Sequence, residues 1–351
     1  MYRAKDQRSD SVVAMKKVKI ALTEDGVPAN VLREISLLRH LGKYNHPNIV
    51  RLLDICPGPK YDKEMMLYLI FEHVEQDLEK FLKNCPAPGL PREKVKDLMW
   101  QLVCGVDYLH SHRIVHRDIK PQNTLVTNNG ILKIADFGLA RIYDFNTLLT
   151  STVSWESSDT KSSVRTRAIL QVVTLWYRAP EVLLGTTYAT PVDIWSCGCI
   201  FAELMSRKPL FPGLTESDQL SRILGVLGTP AEEDWPQDTD VLRANFTNYR
   251  ARDITEILPE IEPDARDLIQ KMLHFDPKKR ITARQALAHP YFADQGPEPL
   301  SSPTMSRSSL SSRSSLSSNT TRSSDISSDS SMNLSHDTSL SDSSFSEKSS
   351  L

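Results

Sequence analysis

Two hydrophobic periodicities divide the first 70 residues of the chain. Short apolar runs at 11–16 and 65–71 are rich in strand-forming residues and predict β-strands. Between them, over 28–41, apolar side chains recur at helical spacing after a proline suited to a helix start. The N-terminal part is therefore predicted to combine strands with a helix.

From about residue 92 onward the helical period dominates. Over 92–109 the apolar side chains follow the i, i+3, i+4, i+7 pattern, which predicts a long amphipathic helix. Its apolar positions are Val95, Leu98, Met99, Leu102, Val103, Val106 and Leu109. Further helices are predicted over 193–205 and 265–273. A small strand-rich part followed by a larger helical part indicates the α+β class.

Composition and charge exclude several classes of protein. The chain has 351 residues, with 42 Lys plus Arg against 44 Asp plus Glu, so no excess of basic residues favours a nucleic-acid partner. The longest apolar run, 65–71, is far shorter than a membrane span, and the first residues lack the apolar segment of a secretory signal. Five scattered cysteines indicate a reducing compartment. We expect neither a nucleic-acid nor a membrane partner.

The C-terminal segment has a different composition. About half of residues 301–351 are Ser, and the unit Arg-Ser-Ser-Leu-Ser-Ser occurs twice at 307–318. Such a stretch buries too little apolar surface to offset its ordering entropy, which predicts a disordered tail over 293–351. Two interpretations stay open: a solvated tail, or a regulatory tail phosphorylated by basophilic kinases.

Four short motifs follow one another along the chain. They are Val13-Ala14-Met15-Lys16, the segment 116–123 (His-Arg-Asp-Ile-Lys-Pro-Gln-Asn), Asp136-Phe137-Gly138 and Ala179-Pro180-Glu181. Each alone is a weak signal, but together and in this order they match the signature set of protein kinases. Over residues 1–292 the chain resembles a eukaryotic protein kinase.

This resemblance implies a two-lobed protein kinase fold. The N-lobe would be small, mainly β and truncated, over 1–71. A hinge at 72–77 would join it to a large, mainly α C-lobe over 78–292, and the Ser-rich tail follows at 293–351.

The resemblance also implies roles in phosphoryl transfer from ATP. Asp118 would accept or orient the proton of the substrate hydroxyl, and Lys120 would stabilise the γ-phosphate charge. Asn123 and Asp136 would supply oxygen ligands to Mg²⁺.

The nucleotide site would extend into the N-lobe and the hinge. Glu34 lies on the apolar side of its predicted helix, where a carboxylate needs a partner. In the family that partner is the lysine that holds the α- and β-phosphates, here Lys16. The other residues implied to bind ATP are Ala14, Glu72, Val74, Asp77 and Leu125.

Several segments narrow the resemblance to the cyclin-dependent kinases, closest to their 4 and 6 subfamily. The segment 27–34 resembles the cyclin-docking helix, and the closer matches lie at 71–78, 88–91, 141–143, 188–193 and 232–236. The implied substrates are Ser/Thr-Pro sites of retinoblastoma-type proteins, phosphorylated with a D-type cyclin at G1/S. Ankyrin-repeat inhibitors are further implied partners, in the nucleus and cytoplasm. A mitogen-activated kinase is disfavoured, because no Thr-x-Tyr activation motif precedes Val172.

The family also implies a phosphorylation switch. Arg33, Arg117 and Arg141 would converge on an activation-loop phosphothreonine, and Thr150 supplies the matching threonine.

Two features depart from the family pattern. No Gly-x-Gly-x-x-Gly occurs in the chain, and Met1–Lys5 aligns with the strand that follows this loop in the family. Asp136 and Glu181 are 45 positions apart, with a surplus that falls best at 152–170. We expect weakened nucleotide binding with cyclin binding retained. The alternative function is therefore a catalytically impaired isoform, or a truncated gene model, that binds cyclin or inhibitors.

Overall fold

The computed structural model describes residues 1–22, 27–61, 64–142 and 174–295. Inside these ranges, seven side chains lie outside the description, those of residues 29, 30, 33, 34, 43, 44 and 142. The chain divides into two compact units, Met1–Ser302 and Pro303–Leu351. The predicted Ser-rich tail falls outside the described residues from position 296 onward.

The N-terminal part is an antiparallel sheet with one helix. Its described strands are β1 (Tyr2–Lys5), β2 (Val12–Ala21), β3 (Leu52–Tyr61) and β4 (Glu64–Glu72), arranged in the order β1-β2-β4-β3. Helix α1 (Ala29–Tyr44) lies between β2 and β3 in sequence and sets Leu37, Leu38 and Leu41 into the core. The predicted strand at 11–16 overlaps β2, the one at 65–71 lies inside β4, and the predicted helix at 28–41 overlaps α1.

Strand β3 has no sequence signal, because Pro57, Gly58 and Pro59 argue against a strand. The structure places β3 at the edge of the sheet, where a missing N–H is tolerated. Its pairing with β4 is shifted between Pro57 and Lys60. A Cβ at Gly58 would come within 2.6 Å of the Tyr68 ring, so glycine permits this close approach.

The C-terminal part is mainly helical. Its described helices are α2 (Leu78–Asn84), α3 (Arg92–Ser111), α4 (Pro180–Leu183), α5 (Pro191–Ser206), α6 (Glu216–Leu227), α7 (Pro263–Met272) and α8 (Ala283–Leu287). Short 3₁₀ turns lie at Pro121–Asn123, Phe137–Leu139, Glu232–Asp234, Arg243–Asn245, Ile254–Glu256 and Pro290–Phe292. The described strands are β5 (Gln76–Asp77), β6 (Ile114–Val115), β7 (Thr124–Val126), β8 (Leu132–Ile134) and β9 (Arg141–Ile142), which pair as β5-β7-β8 and β6-β9.

Helices α3 and α5 form the centre of the helical part. All seven predicted apolar positions of α3 are buried, and α5 is buried along nearly its whole length. Helix α5 carries apolar side chains on every face, because other elements surround it. Among the described helices, none combines the length and the apolar character that a membrane crossing requires. The predicted α+β fold, with a sheet-based N-lobe and a helical C-lobe, is confirmed.

Candidate active site

The loop that carries the central motif is held by one buried carboxylate. Asp193, on α5, accepts the backbone N–H groups of His116 at 2.9 Å and Arg117 at 2.8 Å. Its Oδ2 also lies 3.0 Å from His110 Nε2. Burial raises the pKa of Asp193, but these donors and the neighbouring histidines outweigh it, and the pKa lies below its ordinary value. The loop therefore takes its shape, including a φ of +73° at Arg117, from an ionised group in the core.

Asp118 presents a carboxylate that two neighbouring side chains orient. Lys120 Nζ donates to Asp118 Oδ2 at 2.7 Å. Asn123 Nδ2 donates to the same oxygen at 2.8 Å and to the Asp118 carbonyl at 2.9 Å. The predicted spacing Asp-x-Lys-x-x-Asn thus places three polar side chains together at one end of the 3₁₀ turn.

Lys16 and Asp136 meet across the cleft. Lys16 lies on β2 opposite Leu69, and Asp136 follows β8 with a φ of +63°. Lys16 Nζ donates to Asp136 Oδ1 at 2.7 Å. Burial raises the pKa of Asp136, but the Lys16 charge and hydrogen bond, with His116 nearby, bring it below its ordinary value. Asp136 is therefore an ionised carboxylate that lines the cleft.

The sequence names Glu34 as the partner of Lys16, whereas the described partner is Asp136. The side chain of Glu34 lies outside the description, so its pairing with Lys16 stays a prediction. The same holds for the side chain of Arg33, and Thr150 is itself outside the described residues.

A backbone bond joins the two predicted metal ligands. The Ala135 N–H donates to the Asn123 carbonyl at 2.8 Å, which brings Asn123 beside the start of the Asp136 turn. Below them, His116 and Phe137 pack edge to face with ring centroids 5.0 Å apart. Phe137 is buried, so the turn is anchored through its aromatic residue while Asp136 faces outward.

A cleft between the sheet and the helical part collects most of the predicted nucleotide-binding residues. Those that line it are Ala14, Lys16, Glu72, Val74, Asp77, Leu125 and Asp136. Further lining residues that sequence reasoning missed include Val50, Leu69, Gln76 and Lys80. Val50 and Leu69 read as ordinary core positions in sequence, so only the fold identifies them as cleft wall.

The carboxylates of two predicted hinge residues, Glu72 and Asp77, make hydrogen bonds and ion pairs within the protein. Glu72 Oε1 accepts from the Arg51 backbone N–H at 2.8 Å and from Lys133 Nζ at 3.0 Å. Asp77 caps α2 by accepting the Lys80 N–H at 2.8 Å, and its other oxygen lies 3.0 Å from Lys80 Nζ. Their carboxylates thus fix the hinge backbone at the cleft.

Two of the three predicted clamp arginines are described, and they lie close together. The β6–β9 register places Arg141 opposite Val115, beside the loop that begins at His116. Arg117 lies over the ring of Tyr188, with 5.4 Å between its guanidinium carbon and the ring centroid. Burial lowers the pKa of Arg117, and the Arg141 charge acts in the same direction.

The helical part also contains a buried ion pair and two buried cysteines. Glu181 and Arg280 form a buried bidentate pair at 2.7 and 3.0 Å. Cys197 and Cys199 are fully buried in α5. Within the described residues, no group of three or more His, Cys, Asp or Glu side chains is arranged to hold a metal ion.

Comparisons with known proteins agree with this geometry. The protein kinase domain family matches residues 1–292. Cyclin-dependent kinase 4 of Xenopus laevis is 48% identical over 294 residues, which cover 84% of this chain and 86% of that protein. Cyclin-dependent kinase 4 of Rattus norvegicus is 46% identical over 302 residues (85% and 93%), and that of Mus musculus is 47% identical over 294 residues (83% and 91%). The chain belongs to the protein kinase family and, within it, to the serine/threonine kinases related to cyclin-dependent kinase 4.

Proposed function

We propose that this chain, activated by a cyclin, transfers the γ-phosphate of Mg-ATP to Ser/Thr-Pro sites in proteins. The observation that carries the proposal is the placement of two polar groups side by side. Lys16 and Asp136 pair at the cleft, and Asp118, Lys120 and Asn123 form a hydrogen-bonded cluster that the Ala135–Asn123 backbone bond joins to the Asp136 turn. Phosphoryl transfer depends on positioning and on charge stabilisation, and these five side chains supply both.

Asp118 is the proposed catalytic base. Its Oδ2 already accepts hydrogen bonds from Lys120 and Asn123, so its orientation is fixed before substrate arrives. It orients the substrate hydroxyl and accepts its proton. Lys120 stabilises negative charge that develops on the transferred phosphoryl group.

The donor set fits Mg²⁺. Asp136 is an ionised carboxylate at the cleft. Asn123 donates its amide N–H groups to Asp118, so its amide oxygen is the atom that remains for a metal. Two hard oxygen ligands suit Mg²⁺, which completes its shell with water and phosphate oxygens. When bound, the ion would neutralise phosphate charge.

The hinge and the cleft walls are the proposed adenine site. The backbones of Glu72 and Val74 would bond the adenine edge, and Ala14 and Leu125 would enclose its faces. Asp77 would contact the ribose, and Lys16, with Glu34, would hold the α- and β-phosphates. All of these except Glu34 are seen to line the cleft.

The biological setting is proposed from the relatives and from the segment 27–34. The named relatives are cyclin-dependent kinases, and this segment begins α1 in the structure. We propose a D-type cyclin partner, retinoblastoma-type substrates at G1/S of the cell cycle, and ankyrin-repeat inhibitors. The proposed location is the nucleus and cytoplasm, with no nucleic-acid or membrane partner.

Activation is proposed to need a second signal. Phosphorylation of Thr150 would bring Arg33, Arg117 and Arg141 onto one phosphate, a set of charge-assisted hydrogen bonds that orders the loop. The adjacent charges of Arg117 and Arg141 support this proposal, because they repel until an anion joins them.

The test is a kinase assay on a retinoblastoma-type Ser-Pro peptide. We expect little activity from the purified chain, an increase with a D-type cyclin, and a further increase when Thr150 is phosphorylated. A Ser-Ala peptide is the matched substrate control. Full activity of the isolated chain carrying Thr150→Ala would contradict the switch. Tight cyclin or inhibitor binding without turnover would instead favour the catalytically impaired alternative.

A further inference from the structure

Arg117 is a half-buried cation whose guanidinium lies against an aromatic ring. Its guanidinium carbon lies 5.4 Å from the centroid of the Tyr188 ring, and Tyr188 is buried. Burial lowers the pKa of Arg117, and the Tyr188 side chain opposes this shift through its charge and a hydrogen bond; burial raises the pKa of Tyr188. The attraction between a cation and a ring face is stronger when the pair is desolvated.

The charges around this pair leave Arg117 without a neutralising partner. Two further cations lie near enough to act on the pair: the charge of Arg141, on β9, lowers the pKa of both Arg117 and Tyr188, and the charge of Arg178 lowers the pKa of Tyr188. Asp193 is the nearby anion, but its oxygens bond the His116 and Arg117 backbone N–H groups and face His110. Within the described part of the chain, no ion pair joins the Arg117 guanidinium to a carboxylate.

The short segment 188–193 contacts both the backbone and the guanidinium of Arg117. Asp193 accepts its backbone N–H at 2.8 Å, and Tyr188, five residues earlier, lies against its guanidinium. Pro191 begins α5 between them. The backbone conformation and the side-chain direction of Arg117 are therefore set by the same segment.

We propose that Tyr188 is a positioning residue that holds the Arg117 guanidinium ready for the activating phosphate without neutralising it. This inference rests on the phosphothreonine clamp of the proposed function. A carboxylate at position 188 would cancel the charge, and an aliphatic side chain would let Arg117 turn away from Arg141. The ring face holds the cation against Arg141 repulsion and leaves its charge available to an anion.

The first test compares the wild-type chain with Tyr188→Leu and Tyr188→Phe, each bound to a D-type cyclin and phosphorylated on Thr150. The second pKa of the phosphothreonine, measured by ³¹P NMR, reports its contact with the arginines. We expect this pKa to be about 0.5 higher in Tyr188→Leu than in wild type, and the stimulation by phosphorylation to fall about threefold. Tyr188→Phe keeps the ring and loses only the hydroxyl, so its values should lie closer to wild type than to Tyr188→Leu. Tyr188→Met replaces the Leu variant if that one does not fold.

The second test does not need a phosphorylated loop. Inorganic phosphate is titrated at constant ionic strength onto the full chain carrying Thr150→Ala, and the rise in Tm is recorded. We expect a smaller rise in Arg117→Ala and in Tyr188→Leu, with Tyr188→Phe closer to wild type than to Tyr188→Leu.

The outcomes separate the two proposals. Wild-type values for Tyr188→Leu in both tests, alongside a loss in Arg117→Ala, would overturn the role of Tyr188 alone. No effect of Arg117→Ala on the stimulation by phosphorylation would refute the clamp itself, and the role of Tyr188 with it.

Discussion

Lys16 Nζ and Asp136 Oδ1 lie 2.7 Å apart, joining the sheet of the N-lobe to the turn that follows β8. Both side chains remain partly exposed, so this ion pair adds little to the free energy of folding. Its consequence is geometric. The cation proposed to hold phosphate and the anion proposed to bind a metal ion lie next to each other.

Replacing Lys16 by Met should weaken ATP binding and reduce turnover by about 10²-fold, because the phosphates lose the group that positions them. Isothermal titration with Mg-ATP and a steady-state assay would measure the two effects. Lys17→Met is the matched control, since Lys17 is the next residue of β2 and is exposed. Equal losses in both variants would show that Lys16 acts through strand stability and not through the nucleotide.

Asp118→Asn should lower the turnover of the cyclin-bound chain on a Ser-Pro peptide by about 10²–10⁴-fold, the range typical of proton-transfer groups. ATP affinity should change little, since Asp118 is proposed to act on the hydroxyl. Asp234→Asn, in a surface 3₁₀ turn, serves as the control. Unchanged turnover in Asp118→Asn would remove Asp118 from the catalytic base role.

Stability should depend on the ionisation of Asp193. Its pKa in the folded state is below the ordinary value, so its contribution is present above the unfolded pKa and is lost as the pH falls through the folded pKa. Asp193→Asn should cost about 1–3 kcal/mol at pH 7, because one backbone N–H loses its acceptor.

The gap in urea-unfolding free energy between wild type and Asp193→Asn should narrow as the pH is lowered below about 4. Asp240→Asn, at an exposed carboxylate, should change the free energy by no more than about 0.5 kcal/mol at any pH. A pH-independent gap for Asp193→Asn would mean that lost packing, and not lost charge, explains the difference.

Glu181→Gln should destabilise the chain by about 3–5 kcal/mol, since it leaves the buried Arg280 guanidinium without its anion. Glu256→Gln breaks an exposed i,i+4 pair with Arg252 and should cost only about 0.3–0.5 kcal/mol. Chemical denaturation measures both. Similar costs for the two variants would show that burial does not set the value of the Glu181 pair.

Two glycines in helices should respond oppositely to alanine. A Cβ at Gly198, in α5, would lie 2.8 Å from Leu273 Cδ2 and 3.0 Å from Met272 Cβ, so Gly198→Ala should cost about 1–3 kcal/mol by overpacking. A Cβ at Gly225, in α6, meets nothing within 4 Å, so Gly225→Ala should stabilise by up to about 1 kcal/mol through helix propensity. Thermal unfolding of both variants checks the sign, and stabilisation by Gly198→Ala would contradict the packing argument.

Local patterns predicted the parts of the fold that local physics controls. The apolar spacing of α3 is regular enough to mark each buried position, and the strands in β2 and β4 follow from strand-forming runs. Strand β3 was not predicted because its prolines oppose a strand everywhere except at a sheet edge, and sequence does not reveal which strand is the edge.

The sequence by itself determined the family, because the order and spacing of Lys16, Asp118, Asn123 and Asp136 are characteristic of protein kinases. Only the tertiary structure decided how these groups meet. The partners in the Lys16–Asp136 pair are 120 positions apart, and those in the Asp193–Arg117 hydrogen bond are 76 apart. Neither contact can therefore be predicted from the residues that neighbour it in sequence. Tyr188 reads in sequence as an ordinary aromatic residue. Its place beneath Arg117 comes from the packing of the α5 entry against the catalytic loop, because long-range contacts of this kind are set by how buried surfaces fit together.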